Sequence, residues 1–179
     1  MRLEVEKARD VEVTFRVMSL AALNENRDRL EEYKKLLAAA QRPVRILIAA
    51  EQRFGSKAVR DLYSAMGEKY HVRNLRELDE VIVAVIGDTT WPADLIEGAD
   101  DSSLDAAFRD SHERAMTPLR KDTGTPVVHV GDIAFFGPVV TPAPKAEAAG
   151  KLFDGVLLVA GTSGFYEIKR TRSEGPLFS

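Results

Sequence analysis

The sequence contains no cysteine among its 179 residues. This absence excludes disulfides, thiolate-ligated metals, iron–sulfur clusters and a cysteine nucleophile from the polypeptide. Histidine is also scarce, because His71, His112 and His129 are the only three. They lie far apart and lack the HxH or HxxxH spacing that is typical of metal ligands. The sequence therefore predicts no metal site.

The sequence also lacks a surplus of positive charge and long apolar runs. Lys and Arg total 25 against 28 Asp and Glu, so the net charge is −3 and does not favour binding to phosphates or anionic lipids. The apolar stretches at 81–86 and 156–160 are far shorter than the roughly 20 residues that span a bilayer. The N-terminus alternates apolar and charged residues, unlike a secretory signal. We expect a cytoplasmic protein that binds neither nucleic acid nor membranes.

The hydrophobic pattern changes its period along the chain. Apolar residues alternate with polar ones at 11–17, which predicts a half-buried strand after the last turns of a helix at 2–9. A helical period follows for nearly a hundred residues. It predicts helices at 27–41, at 43–54, from Ser56, from a cap at Asn74, after Pro92 and after Ser102.

The pattern returns to strand near Gly124. Residues 127–130 and 133–136 flank a Gly131-Asp132 turn and predict a tight hairpin, which a helix at 145–159 follows. The first hairpin strand is almost wholly apolar, which is typical of an interior strand with both faces covered and predicts a buried His129. A sheet interrupted by a helical block indicates the α/β class.

Gly124, Thr125 and Pro126 lead directly into the hairpin. A proline cannot donate a ladder hydrogen bond, so Pro126 either starts the strand as an ordinary turn residue or follows a cis peptide bond. The tripeptide alone leaves both alternatives open.

Six segments in this order make the chain resemble the actinobacterial mycothiol-dependent nitroreductases, which have a DsbA-like form of the thioredoxin fold. The resemblance extends from about residue 4 to residue 178. The segments are VMSLAALNENRD at 17–28, AAEQ at 49–52, LDEVI at 78–82, GTP at 124–126, AFFGPV at 134–139 and KRTR at 169–172.

The resemblance implies an α/β, thioredoxin-like (DsbA-like) domain at 1–23 and 121–179 with an all-helical insertion at 24–120. Members of the family draw electrons from mycothiol and use a Cys-Pro-x-Cys motif between the first strand and the first helix. Here that strand, the motif and most of that helix are absent, so we expect a truncated sequence without the redox cysteines. The remaining strands would be left open for pairing, which favours a homodimer.

The resemblance also implies four substrate-binding residues, namely Thr125, Pro126, Asn24 and Tyr33. Pro126 would be the cis-proline that faces the two sulfurs, with the backbone of Thr125 beside the substrate. Asn24 and Tyr33 would line the substrate cleft. The alternatives are a helix N-cap for Asn24 and an ordinary helix-face aromatic for Tyr33.

Two functions follow from this interpretation. In the first, the chain is a member or fragment of a thiol-disulfide oxidoreductase family, with mycothiol as the reductant, that is inactive without its cysteines. In the second, it is a non-catalytic thioredoxin-like module that binds a thiol or another small molecule in the cis-proline groove.

Overall fold

The structure is a computed structural model that describes residues 2–25, 30–88, 90–119, 124–171, 173 and 175–177. The chain divides into two compact units. Unit 1 comprises Met1–Val13 and Pro118–Ser179, and unit 2 comprises Thr14–Thr117. The predicted domain at 1–23 and 121–179 and the predicted insertion at 24–120 have different boundaries and remain a prediction.

The described residues are mostly helical, with one small antiparallel sheet. None of the described helices is both long enough and apolar enough to cross a membrane. The α-helices and strands are α1 (Arg2–Ala8), α2 (Leu20–Asn24), α3 (Glu31–Ala39), α4 (Gln41–Phe54), α5 (Ser56–Gly67), α6 (Leu78–Gly87), α7 (Asp105–Met116), β1 (Val127–Val130), β2 (Ile133–Phe136) and α8 (Ala146–Ala160).

Unit 2 is organised around α4. This helix packs against α5, α6, α7 and a 3₁₀ segment at Ala93–Asp100, so that Ile46 and Ala50 have no exposed surface. Gly55, with a φ of +83°, ends α4 in a conformation that few other residues adopt and lets α5 begin at once. The core of unit 2 buries apolar side chains from all four of these helices, including Phe108 of α7.

Arginines on α4 tie this central helix to its neighbours. Arg45 makes a two-pronged pair with Asp105 of α7, at 2.6 and 2.8 Å. Arg53 pairs with Asp94 of the 3₁₀ segment at 3.1 Å. Bidentate arginine–carboxylate pairs fix orientation as well as distance, so these contacts set how the surrounding elements lie on α4.

The predicted helical block is confirmed in the described residues, but three helix starts differ from the prediction, one of them that of α4, which begins at Gln41 and not at residue 43. Residues 26–29, where the first helix was predicted to begin, lie outside the described residues, and α3 is observed from Glu31. Asn74 does not cap α6, which begins at Leu78 with Glu77 as its N-cap. Asn74 instead has a φ of +61°, because asparagine tolerates the left-handed conformation of a turn.

The predicted strand at 11–17 is not observed. Its side chains do alternate, since Val13 and Phe15 are half-buried and Val17 is only 3% exposed, whereas Glu12 and Arg16 are exposed. However, the sheet in the described part of the chain contains β1 and β2 alone. Alternation requires one buried face, whereas a strand also requires a hydrogen-bonded neighbour.

In unit 1, the hairpin is observed at the predicted residues. Val127 pairs with Phe136 and Val130 with Ile133, around a turn in which Gly131 has a φ of +55°. The prediction of a covered β1 is wrong, because His129 is exposed and the other β1 side chains are only half-buried. Among the described apolar residues of this unit, Val5 and Ala149 are the ones that are fully buried.

Arg9 joins the end of α1 to α8. Its guanidinium donates to Asp154 at 2.6–3.0 Å and to Glu147 at 3.0–3.1 Å, and it also reaches the carbonyl of Ala8 at 2.6 Å. A Cβ on Gly150 would lie 2.5 Å from the guanidinium, so the glycine leaves the space that the arginine fills. Hydrogen bonds from Arg9 lower the pKa of both carboxyls.

These pKa shifts predict a pH-dependent contribution of Arg9 to stability. Both carboxyls hold protons less strongly in the folded state than at their ordinary pKa values of 4.5 and 3.8. The stabilisation by Arg9 is therefore complete above those values and is lost as the pH falls through the lowered ones. We expect Arg9→Met to lower the melting temperature by a constant amount above pH ~5 and by a shrinking amount below it.

Thermal unfolding followed by circular dichroism between pH 3 and 7 measures this effect. Arg73→Met is the matched control, because Arg73 bonds only Glu68 five residues away, at 3.1 Å, and ties no distant elements together. A melting-temperature difference for Arg9→Met that persists unchanged at pH 3 would show that the ion pairs are not its source.

Candidate functional site

The Thr125–Pro126 segment forms the entry to β1 in unit 1. The peptide bond between the two residues is cis, which is the conformation that the family resemblance implies. Pro126 is half-buried and its carbonyl accepts from the Gly137 N–H at 2.8 Å, so the segment is fixed against β2. Thr125 is exposed beside it. A Cβ on Gly124 would lie 3.3 Å from the ring of Phe136, which favours glycine there.

Asn24 is the last residue of α2 in unit 2. Its side chain is mostly buried and its Nδ2 donates to the Leu20 carbonyl at 2.8 Å. Ser19 caps the other end of the helix by accepting from the Ala22 N–H at 3.2 Å. The alternative that Asn24 is an N-cap is wrong, because it ends α2 and Leu30 is the N-cap of α3.

Tyr33 lies on α3, which packs beside α2. The predicted apolar stripe of this helix is largely exposed to solvent, since Leu30 is 82%, Leu36 56% and Tyr33 36% exposed. Tyr33 and Leu36 are three residues apart on α3 and lie on its exposed side, and Leu30 is exposed just before the helix begins. Such a face can form one wall of a binding cleft.

Two side chains of α7 hold the stretch of chain that carries Asn24. Ser111 is buried and its Oγ donates to the Val17 carbonyl at 2.7 Å. Arg109 makes a two-pronged pair with Glu25 at 2.8 and 2.9 Å, which lowers the pKa of the glutamate. The partners are 94 and 84 residues apart in sequence, so no local pattern could have indicated these contacts.

The four predicted site residues therefore fall in two places. Thr125 and Pro126 are adjacent at the start of β1 in unit 1, whereas Asn24 and Tyr33 are on neighbouring helices of unit 2. A single site that contains all four remains a proposal. No group of three or more His, Asp or Glu side chains arranged to hold a metal ion is found within the described ranges.

Unit 2 has a concave surface beside α4. Its lining includes Asp94, Glu97, Asp100 and Asp101, together with Arg53, which is already paired with Asp94. The hollow is therefore acidic and does not contain any of the four predicted site residues.

The chain matches a known protein family over most of its length. A family model described as "Rv2466c-like: Mycothiol-dependent nitroreductase Rv2466c" matches residues 1–170, which is nearly the whole chain.

Proposed function

Because the chain belongs to the Rv2466c-like family of mycothiol-dependent nitroreductases, we propose that it binds a substrate of that family without transferring electrons itself. The absence of any cysteine from the 179 residues is the observation that carries this proposal. In thiol-dependent reduction, a thiolate attacks a disulfide substrate or supplies the electrons. This polypeptide has no cysteine and therefore no such thiolate.

The proposed binding surface starts at Thr125 and Pro126. Pro126 is bonded to Gly137 on the β2 side, and Thr125 is exposed beside it for contact with an extended ligand. Asn24 and Tyr33 are the proposed binding residues of unit 2, the first with a mostly buried side-chain amide that donates to the Leu20 carbonyl and the second with a partly exposed aromatic ring. An amide and an aromatic ring suit a small molecule that has both polar and planar groups.

The fold proposed for this surface is an incomplete, DsbA-like thioredoxin domain with a helical insertion. Two observations support it. The hairpin β1–β2 is followed by α8, and the segment at 11–17 has the side-chain alternation of a strand without a strand ladder in the described structure. The absence of a ladder along 11–17 in the described structure is what a strand without its neighbour in the sheet would show.

The non-catalytic binding module is the second candidate function. This candidate uses the same cis-proline groove at Thr125 and Pro126. It differs from the first candidate only in that no cysteine-bearing strand completes the site. The absence of cysteine is common to both candidates and does not separate them. In both cases mycothiol is the thiol ligand that the family description suggests.

Binding of the disulfide of mycothiol, measured by isothermal titration calorimetry, tests the proposed site. We expect Asn24→Ala to weaken binding about 10-fold or more, because loss of one buried hydrogen-bonding side chain costs ~1–3 kcal/mol. Ser64→Ala is the matched control, since its hydroxyl donates only to the Arg60 carbonyl of its own helix at 2.7 Å. Equal affinities of Asn24→Ala and the unmodified chain would remove Asn24 from the site.

A further inference from the structure

Helix α2 is too short to be stable alone. It has five residues, whereas isolated helices of fewer than about 12 residues are marginal in water. Asn24 is its last residue, so the position of the Asn24 amide depends on whatever holds the two ends of this helix.

The N-terminal end of α2 is held by buried groups. The Ser19 side chain caps the helix, and Ser111 of α7 donates to the Val17 carbonyl two residues earlier. Ser19 is 1% and Ser111 4% exposed, so this anchor is shielded from water.

The C-terminal end of α2 is held differently. The backbone N–H of Glu25 donates to the Ala22 carbonyl at 3.3 Å. The Glu25 carboxylate accepts hydrogen bonds from both terminal nitrogens of Arg109. Arg109 has other carboxylates near it on α7, at Asp105 and Glu113. Asp105 is already paired with Arg45 at 2.6 Å, which leaves Arg109 to hold Glu25.

We propose that Arg109 is a positioning residue that fixes the Asn24 amide through its pair with Glu25. The pair is about half-exposed, so its net effect on global stability is small. Its effect is local, because it restrains the residue directly after Asn24. This inference rests on the proposed role of Asn24 in binding.

Charge reversal separates positioning from direct ligand contact. The variants are Arg109→Glu, Glu25→Arg and the double variant, with Arg114→Glu as the control. Arg114 pairs with Asp110 on the same helix and does not touch the stretch at 17–25. We expect each single reversal to weaken binding of the mycothiol disulfide by about three- to tenfold, and the double variant to recover to within about twofold.

Hydrogen exchange of the Asn24 side-chain amide, followed by NMR without ligand, is the second readout. We expect faster exchange in both single variants and recovery in the double variant, with melting-temperature changes no larger than that of Arg114→Glu. Unchanged exchange and unchanged affinity in Arg109→Glu would overturn the inference. A loss of affinity that the double variant does not recover would also overturn the inference, because Arg109 would then contact the ligand directly.

The two proposals fail in different ways. If Asn24→Ala binds the probe as well as the unmodified chain, or if neither binds it, the proposed site is wrong. The exchange of the Asn24 amide then still decides whether Arg109 positions it.

Discussion

Replacing Phe108 with alanine is expected to lower the free energy of unfolding of unit 2 by about 3–5 kcal/mol. The ring is only 1% exposed and belongs to the core formed around α4. Its removal leaves a cavity that the surrounding side chains fill only in part. Small domains are stable by only ~5–15 kcal/mol, so this single substitution removes a large fraction of the free energy of unfolding.

The intrinsic fluorescence of Trp91 provides the measurement. Trp91 is the only tryptophan in the sequence, and it packs against the core of unit 2 with its ring 5.4 Å from that of Phe54. Its fluorescence during urea unfolding therefore reports on this unit. Val83→Ala is the control, since Val83 is 57% exposed on α6 and should change stability by less than about 0.5 kcal/mol. A Phe108→Ala loss as small as the control's would mean that the core is not packed as described.

Self-association is the second large effect that we expect, and it comes from unit 1. Few of its apolar side chains are buried, while Val139, Leu158 and Ile168 are 56%, 76% and 79% exposed. In the described structure β1 has a hydrogen-bonded neighbour on the β2 side only. The edges of a two-stranded sheet and exposed apolar surface favour pairing with another chain. The purified chain should therefore form homodimers or larger species.

Light scattering from micromolar to millimolar concentrations measures this association. We expect Val127→Lys to shift the distribution towards monomer, because a lysine on an edge strand opposes strand pairing. Val83→Lys places the same charge on an exposed helix position and should leave the distribution unchanged. A monomer at all concentrations would contradict the expectation that the strand edge drives association.

The hairpin and most of the helices could be predicted from sequence because their signals are local. The Gly131-Asp132 turn between two apolar runs gives β1 and β2 at the residues observed. The segment at 11–17 shows the limit of such signals. Its alternation indicates one buried face and contains no information about a neighbouring strand, which depends on residues far away in the chain.

The same limit applies to the candidate site. Family resemblance directs attention to Thr125, Pro126, Asn24 and Tyr33. Family resemblance does not indicate the groups that hold the stretch around Asn24. Arg109 contacts Glu25, and Ser111 contacts Val17, each across more than 80 residues of sequence. Contacts of this kind arise from the packing of α7 and can be found only in three dimensions.

Reduction of a nitroaromatic compound by mycothiol, assayed with the purified 179-residue chain, tests the central claim most directly. The chain has no cysteine thiolate to accept or donate electrons, so the rate should equal that of a heat-treated sample. Turnover above the heat-treated control would contradict the claim, since a group other than cysteine would then have to transfer the electrons.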